Sequence, residues 1–127
     1  MTNLSGKRVL VLEDEALIAA MVEDMLTELG VVVVGPVATI ERGLLFAQNE
    51  DIDAALLDVN IRSTRVYPVA DVLKERGVPV VFATGYGQSG VDRSISAQVL
   101  EKPYTQDKLA DALRLALASS TKAQAAQ

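Results

Sequence analysis

The sequence contains no cysteine and no histidine. Without cysteine there is no disulfide framework, no thiolate nucleophile and no zinc ribbon, a usage that suits a reducing compartment, so a cytoplasmic location is expected. Without histidine, imidazole catalysis and every histidine-ligated metal site are excluded. Long apolar runs are missing as well. The run VVVV at residues 31–34 is far shorter than the ~20 residues a membrane-spanning helix requires. The N-terminal stretch lacks the apolar core and cleavage site of a signal peptide, and no membrane association is expected. The net charge of -5 comes without a concentrated basic patch, which argues against nucleic acid as a partner. Chemistry in this chain must therefore run on carboxylates, lysine, hydroxyls and backbone amides, or borrow a histidine from a partner.

What is present suits one self-supporting domain. Half of the 127 residues are apolar, and a chain of this length buries roughly two thirds of its unfolded surface. Strand and helix patterns alternate. RVLVL at residues 8–12 is followed by Leu17, Ile18, Met21, Val22, Met25, Leu26 and Leu29 at helical spacing, closed by Gly30. The second strand, at residues 31–34, is expected to end at Gly35 and Pro36, and Thr39 caps a helix over residues 40–48. AALLDV at residues 54–59 is the third strand. A polar loop with Arg62, Ser63, Thr64 and Arg65 then leads to a helix that starts near Pro68 and ends at Gly77. PVVFAT at residues 79–84 is the fourth strand and AQVLEK at residues 97–102 contains the fifth; Thr105 caps a last helix carrying Leu109, Ala112, Leu113, Ala116 and Leu117. Residues 1–118 read as the domain and 119–127 as a frayed tail.

Near-continuously apolar strands alternating with helices predict an α/β fold, a doubly wound five-stranded parallel sheet covered on both faces, with the order 2-1-3-4-5 among the allowed topologies. Ligands of such sheets bind beyond the carboxyl ends of the strands. Here the first strand runs into Glu13-Asp14-Glu15, the third into Asp58, the fourth into Thr84 and the fifth into Lys102, whereas the second, at the edge, ends in Gly35-Pro36. Each feature has a plain alternative: acids at a helix start favour the macrodipole, Asp58 could cap a turn, Thr84 is a good strand former, and a lysine before Pro103 is ordinarily a surface residue. Four independent turns have no reason to place acids, a hydroxyl and a lysine on contiguous strand ends.

Clustered carboxylates repel one another unless a cation intervenes, and an all-oxygen site suits Mg²⁺ or Mn²⁺. Lys102 adds positive charge and the Thr84 hydroxyl a donor, a set that stabilises a transferring phosphoryl group. A carboxylate can itself be the nucleophile, giving an aspartyl phosphate.

Through VLVLEDE, LLDVN, VVFATG and EKPY, in that order and spacing, the chain resembles the receiver domains of two-component response regulators over nearly its whole length. The resemblance implies the flavodoxin-like receiver fold, with Asp58 as phosphoacceptor from a histidine kinase or histidine phosphotransfer protein. It further implies Mg²⁺ on Asp14, Asp58 and the backbone carbonyl of Asn60, with Glu13 acting through water. Lys102 and Thr84 would contact the phosphoryl group, with the Gly85 amide as a further donor. The Lys102-Pro103 peptide is often cis in this family. A missing histidine fits, since the donor histidine belongs to the partner. Signalling would proceed by contact with a downstream protein, by a monomer or a weak dimer, and with no enzymatic output. A phosphate sink or relay intermediate is the alternative within the family.

Two features depart from the usual pattern. Val99 stands where the family carries a Tyr or Phe, so Tyr86, two residues after Thr84, is the alternative switch residue. FATGY at residues 82–86 resembles the signature of the stand-alone receiver subgroup called FAT GUY. Residues 87–96 have little apolar periodicity, and a short or mobile fourth helix is expected there. A small-molecule phosphatase or phosphotransferase with an aspartyl nucleophile is the reading from another class. It commonly needs a second acid two residues after the nucleophile, where this chain has Asn60. A degenerate receiver acting only as a binding module is disfavoured because every site residue is present.

Overall fold

The computed structural model describes residues 3–85 and 98–119. Along the chain these form β1 (Arg8–Leu12), α1 (Ala16–Glu28), β2 (Val32–Val37), α2 (Ile40–Asn49), β3 (Ala54–Asp58), β4 (Asn60–Ile61), β5 (Thr64–Arg65), α3 (Tyr67–Glu75), β6 (Val80–Thr84), β7 (Gln98–Glu101) and α4 (Gln106–Ala118). The main sheet has the order β2-β1-β3-β6-β7 with every pairing parallel, which is the expected 2-1-3-4-5 arrangement of its five strands. Tyr86, residues 87–96 and residues 120–127 lie outside the described residues, so the expectations placed on them have no structural counterpart here.

Alternation along the strands divides the core in two. Val9 and Val11 of β1, with Leu56, Val81 and Ala83, face Val22 and Leu26 of α1 and Leu109, Leu113 and Leu117 of α4. Leu10 and Leu12, with Leu57 and Phe82, face the side covered by α2 and α3, where Ala47, Val69 and Leu73 are buried. Both sheet faces are thus removed from water, which is what a parallel sheet of this composition requires. The expected caps are in place: Thr39 accepts from the Arg42 amide and Thr105 from the Lys108 amide, each at 3.2 Å.

Two local expectations are corrected. First, β2 does not stop at Gly35-Pro36 but runs through them to Val37, with a register irregularity opposite Leu10 to Leu12. Gly35 has φ +101, a conformation open to glycine, and a Cβ there would lie 2.8 Å from the Val37 amide nitrogen. The edge position explains why proline is tolerated, since an edge strand has one side on which no amide is needed. Second, the polar stretch after β3 is not an open loop. β4 and β5 pair antiparallel across a two-residue turn at Arg62 and Ser63, whose φ values are 50 and 66. Both central residues in the left-handed region make this the tight hairpin geometry that normally attracts Asn-Gly.

Candidate functional site

The carboxyl edge of the sheet gathers the charged strand ends. Glu13 follows the last residue of β1 and is still held by the sheet, its amide donating to the Val37 carbonyl at 3.0 Å. That backbone constraint sends the side chain into the protein, where Glu13 is 5% exposed. Asp14 comes next, and Glu15 occupies the N-cap of α1 without a side-chain cap bond. Asp58 ends β3 directly beside β6, paired with Ala83. Thr84, the last residue of β6, is buried, and its carbonyl accepts from the Lys102 amide at 2.9 Å. This bond places Lys102 one step beyond β7, next to the acids. The Lys102-Pro103 and Gly35-Pro36 peptides are both cis.

The Lys102 ammonium joins two of the acids. Its Nζ donates to Glu13 Oε1 and to Asp58 Oδ2, each at 2.9 Å. The other oxygens are held by backbone amides: Glu15 N–H donates to Glu13 Oε2 at 3.2 Å, Asn60 N–H to Asp58 Oδ1 at 3.2 Å, and Arg62 N–H to Asp14 Oδ2 at 2.8 Å. Burial pushes the Glu13 carboxyl above the usual glutamate value, against the downward pull of Lys102 and the Glu15 amide, and the Asp58 charge adds to the rise. Burial alone would lower the lysine, but the hydrogen bonds to Glu13 and Asp58 outweigh it and raise Lys102, which keeps it charged.

Three carboxylates against one ammonium leave the cluster short of positive charge. One ligand oxygen from each of Glu13, Asp14 and Asp58 lies within 4.8 Å of the others. Hard oxygen donors at this spacing fit a small divalent cation such as Mg²⁺ and offer nothing to a soft metal. An open groove of about 300 Å³ between α1 and the end of β2 reaches Glu13 and Asp14 and is otherwise lined by Ala16, Ala19, Glu23 and Pro36 among others.

Of the residues singled out from sequence, Glu13, Asp14, Asp58 and Lys102 therefore meet in one cluster, with Thr84 and Asn60 on the adjoining strand ends. Gly85 is exposed, and a Cβ added to it would meet nothing within 4 Å; the protein itself does not demand glycine there. Val99 sits opposite Phe82 and packs against the α2 and α3 side of the core. Sequence reasoning missed the Arg62 amide, because backbone donors carry no residue signature and the turn has neither Asn nor Gly.

With this geometry in view, a comparison with protein families decides the identity: the model for the response regulator receiver domain matches residues 9–114. The chain is a receiver domain. A curated relative, the transcriptional regulatory protein PdtaR of Mycobacterium tuberculosis, is 30% identical over 116 residues, which cover 87% of this chain and 57% of the relative. The chain thus spans little more than half the length of the curated relatives it matches. The solution structure of SdrG from Sphingomonas melonis Fr1 is similar at a TM-score of 0.79 and 43% identity, covering 93% of this chain and 99% of SdrG. The receiver domain of the sensor histidine kinase PA1611 from Pseudomonas aeruginosa, with magnesium coordinated in its active-site cleft, is similar at a TM-score of 0.78 and 24% identity, covering 91% and 100%. The receiver fold and the two-component signalling role read from the sequence are both borne out. No helix among the described residues is long and apolar enough to cross a membrane.

Proposed function

We propose that this receiver accepts a phosphoryl group on Asp58 from a phosphohistidine of a histidine kinase or phosphotransfer protein, in a Mg²⁺-dependent reaction, and signals by contact with a downstream protein. The observation that carries the reading is the Lys102 ammonium 2.9 Å from both Asp58 and Glu13, beside the Asp14 carboxylate. An Asp58 carboxylate oxygen attacks phosphorus while the bond from phosphorus to the donor imidazole nitrogen breaks. The electron pair leaves with the imidazole and an acyl phosphate remains on Asp58. Lys102 then shifts its hydrogen bonds to the incoming phosphoryl oxygens, and the Thr84 hydroxyl and Gly85 amide donate to them. Mg²⁺, or Mn²⁺ in its place, supplies the remaining positive charge when bound. Asp14, Asp58 and the Asn60 carbonyl would hold it directly, with Glu13 assisting through water.

Residues 1–118 act as the receiver unit of a cytoplasmic protein that signals by contact. The FATGY string assigns the chain to the FAT GUY subgroup, with Tyr86 replacing the aromatic switch that Val99 cannot provide. Incubation with Mg²⁺ and acetyl phosphate, or with a phosphorylated histidine kinase, tests the reading. An acid-stable, base-labile adduct is expected, and Asp58→Asn abolishes it. Equal labelling of Asp58→Asn overturns the assignment, and rapid turnover of small phosphate esters would instead identify a phosphatase.

A further inference from the structure

The β4–β5 hairpin contacts two of the three clustered carboxylates through its backbone. Asn60 N–H holds Asp58 Oδ1 at 3.2 Å and, across 48 residues of sequence, Arg62 N–H holds Asp14 Oδ2 at 2.8 Å. The hairpin is anchored rather than free to drift. Ile61 is buried at 1% exposure in the α2 and α3 side of the core, Val66 N–H bonds the Val59 carbonyl at 2.9 Å, and Asn60 and Ile61 pair with Arg65 and Thr64. Its turn is the one place where non-glycine residues of the described chain have positive φ, at Arg62 and Ser63. The left-handed conformation is disfavoured for both residue types. It is also what gives the two-residue turn its tight geometry and so sets where the Arg62 amide points.

We infer that the hairpin is a positioning device for the cation site, with the left-handed turn at Arg62 and Ser63 orienting the Asp14 carboxylate for a divalent metal ion. Side-chain amides or hydroxyls could hold Asp14 as well, but each would bring its own rotamers. A backbone amide in a paired hairpin brings none, so Asp14 meets the cation without a further cost of ordering. The inference rests on the reading of this edge as a Mg²⁺-dependent phosphorylation site.

The test is a Mn²⁺ titration followed by electron paramagnetic resonance, with Mg²⁺ as competitor, on the whole chain and three variants. Ser63→Val puts a β-branched residue at a positive φ and is expected to weaken Mn²⁺ binding about tenfold, the order of one hydrogen bond to a charged group. Ser63→Gly relieves the turn and is expected to bind as tightly as the parent chain or more tightly. Asp14→Ala is expected to accelerate hydrogen exchange at the Arg62 amide. Asp58 labelling in Ser63→Val should recover when Mg²⁺ is raised in proportion to the lost affinity, which a general folding defect would not allow. Absence of Mn²⁺ binding by the unmodified chain would refute the phosphorylation-site reading itself. Unmodified binding with unchanged affinity in a folded Ser63→Val variant would overturn the positioning role alone.

Discussion

The two ends of the sheet use the same kinds of charged residue to opposite effect. At the amino edge, Arg8 donates through Nε to the Asp51 carbonyl at 2.7 Å, its backbone amide meets Asp53 Oδ2 at 2.9 Å, and its guanidinium lies 3.9 Å from Glu50. The Arg8 and Glu50 side chains are 36% and 44% exposed, so water and salt screen the pair and it contributes little. At the carboxyl edge Lys102 is 21% exposed while Glu13 and Asp58 are 5% and 12% exposed. There the charges are largely withdrawn from water, shared, and unequal in number. The first edge is satisfied by its own neighbours. The second is complete only when more positive charge arrives, which is the property a phosphorylation site needs and a structural latch does not.

That contrast yields a ranked set of outcomes. Lys102→Ala removes the donor from Asp58 and should slow labelling by acetyl phosphate about 100-fold at saturating Mg²⁺; a rate within a factor of about two of the parent would show that the two edges differ only in burial. Asp53→Ala at the amino edge should cost about 1.5–2 kcal/mol in urea unfolding, because it strips a charged acceptor from the part-buried Arg8 amide, and should leave the labelling rate unchanged. Glu50→Ala should cost under about 0.5 kcal/mol. A cost equal to that of Asp53→Ala would mean that the exposed ion pair, and not the backbone bond, holds that edge.

The smallest effect at neutral pH concerns Tyr104, two residues beyond Lys102. Burial, opposed by the Lys102 charge and reinforced by Glu13 and Asp58, pushes its hydroxyl up to about 12. The unfolded value is near 10, so folding favours the neutral phenol: the stability it contributes is full below pH 10 and is lost as the pH rises through about 12. The difference in 295 nm absorbance titration between the parent chain and Tyr104→Phe should therefore have its midpoint near 12. A midpoint near pH 10 would show that the carboxyl edge is open to water as far back as this ring.

Much of the site was legible along the chain because in a parallel sheet every strand points the same way. Residues that follow Leu12, Leu57, Ala83 and Glu101 are bound to emerge on one edge once the strands are recognised, and so Glu13, Asp58, Thr84 and Lys102 could be grouped before any coordinates. Local chemistry was legible too, as in the Thr39 and Thr105 caps. The continuation of β2 through Gly35-Pro36 was not. Those residues read as a stop in isolation, and only the β1 neighbour on one side, with a free edge on the other, makes them tolerable within a strand. The hairpin at residues 60–65 was hidden for a related reason: Arg62 and Ser63 carry no preference for positive φ, and pairing of the flanking strands imposes it.

By itself, then, the sequence determined the α/β order, the carboxyl edge as the place of chemistry, and the oxygen and nitrogen groups available there, since these follow from hydrophobic periodicity and from the absence of histidine and cysteine. The tertiary structure alone decided that one lysine spans Glu13 and Asp58, that Glu13 is buried, and that the Arg62 amide reaches Asp14. Those contacts join residues 44 to 89 positions apart. No local propensity encodes such distances; they arise when packing brings strand ends to within hydrogen-bond reach and low exposure gives each charge its weight.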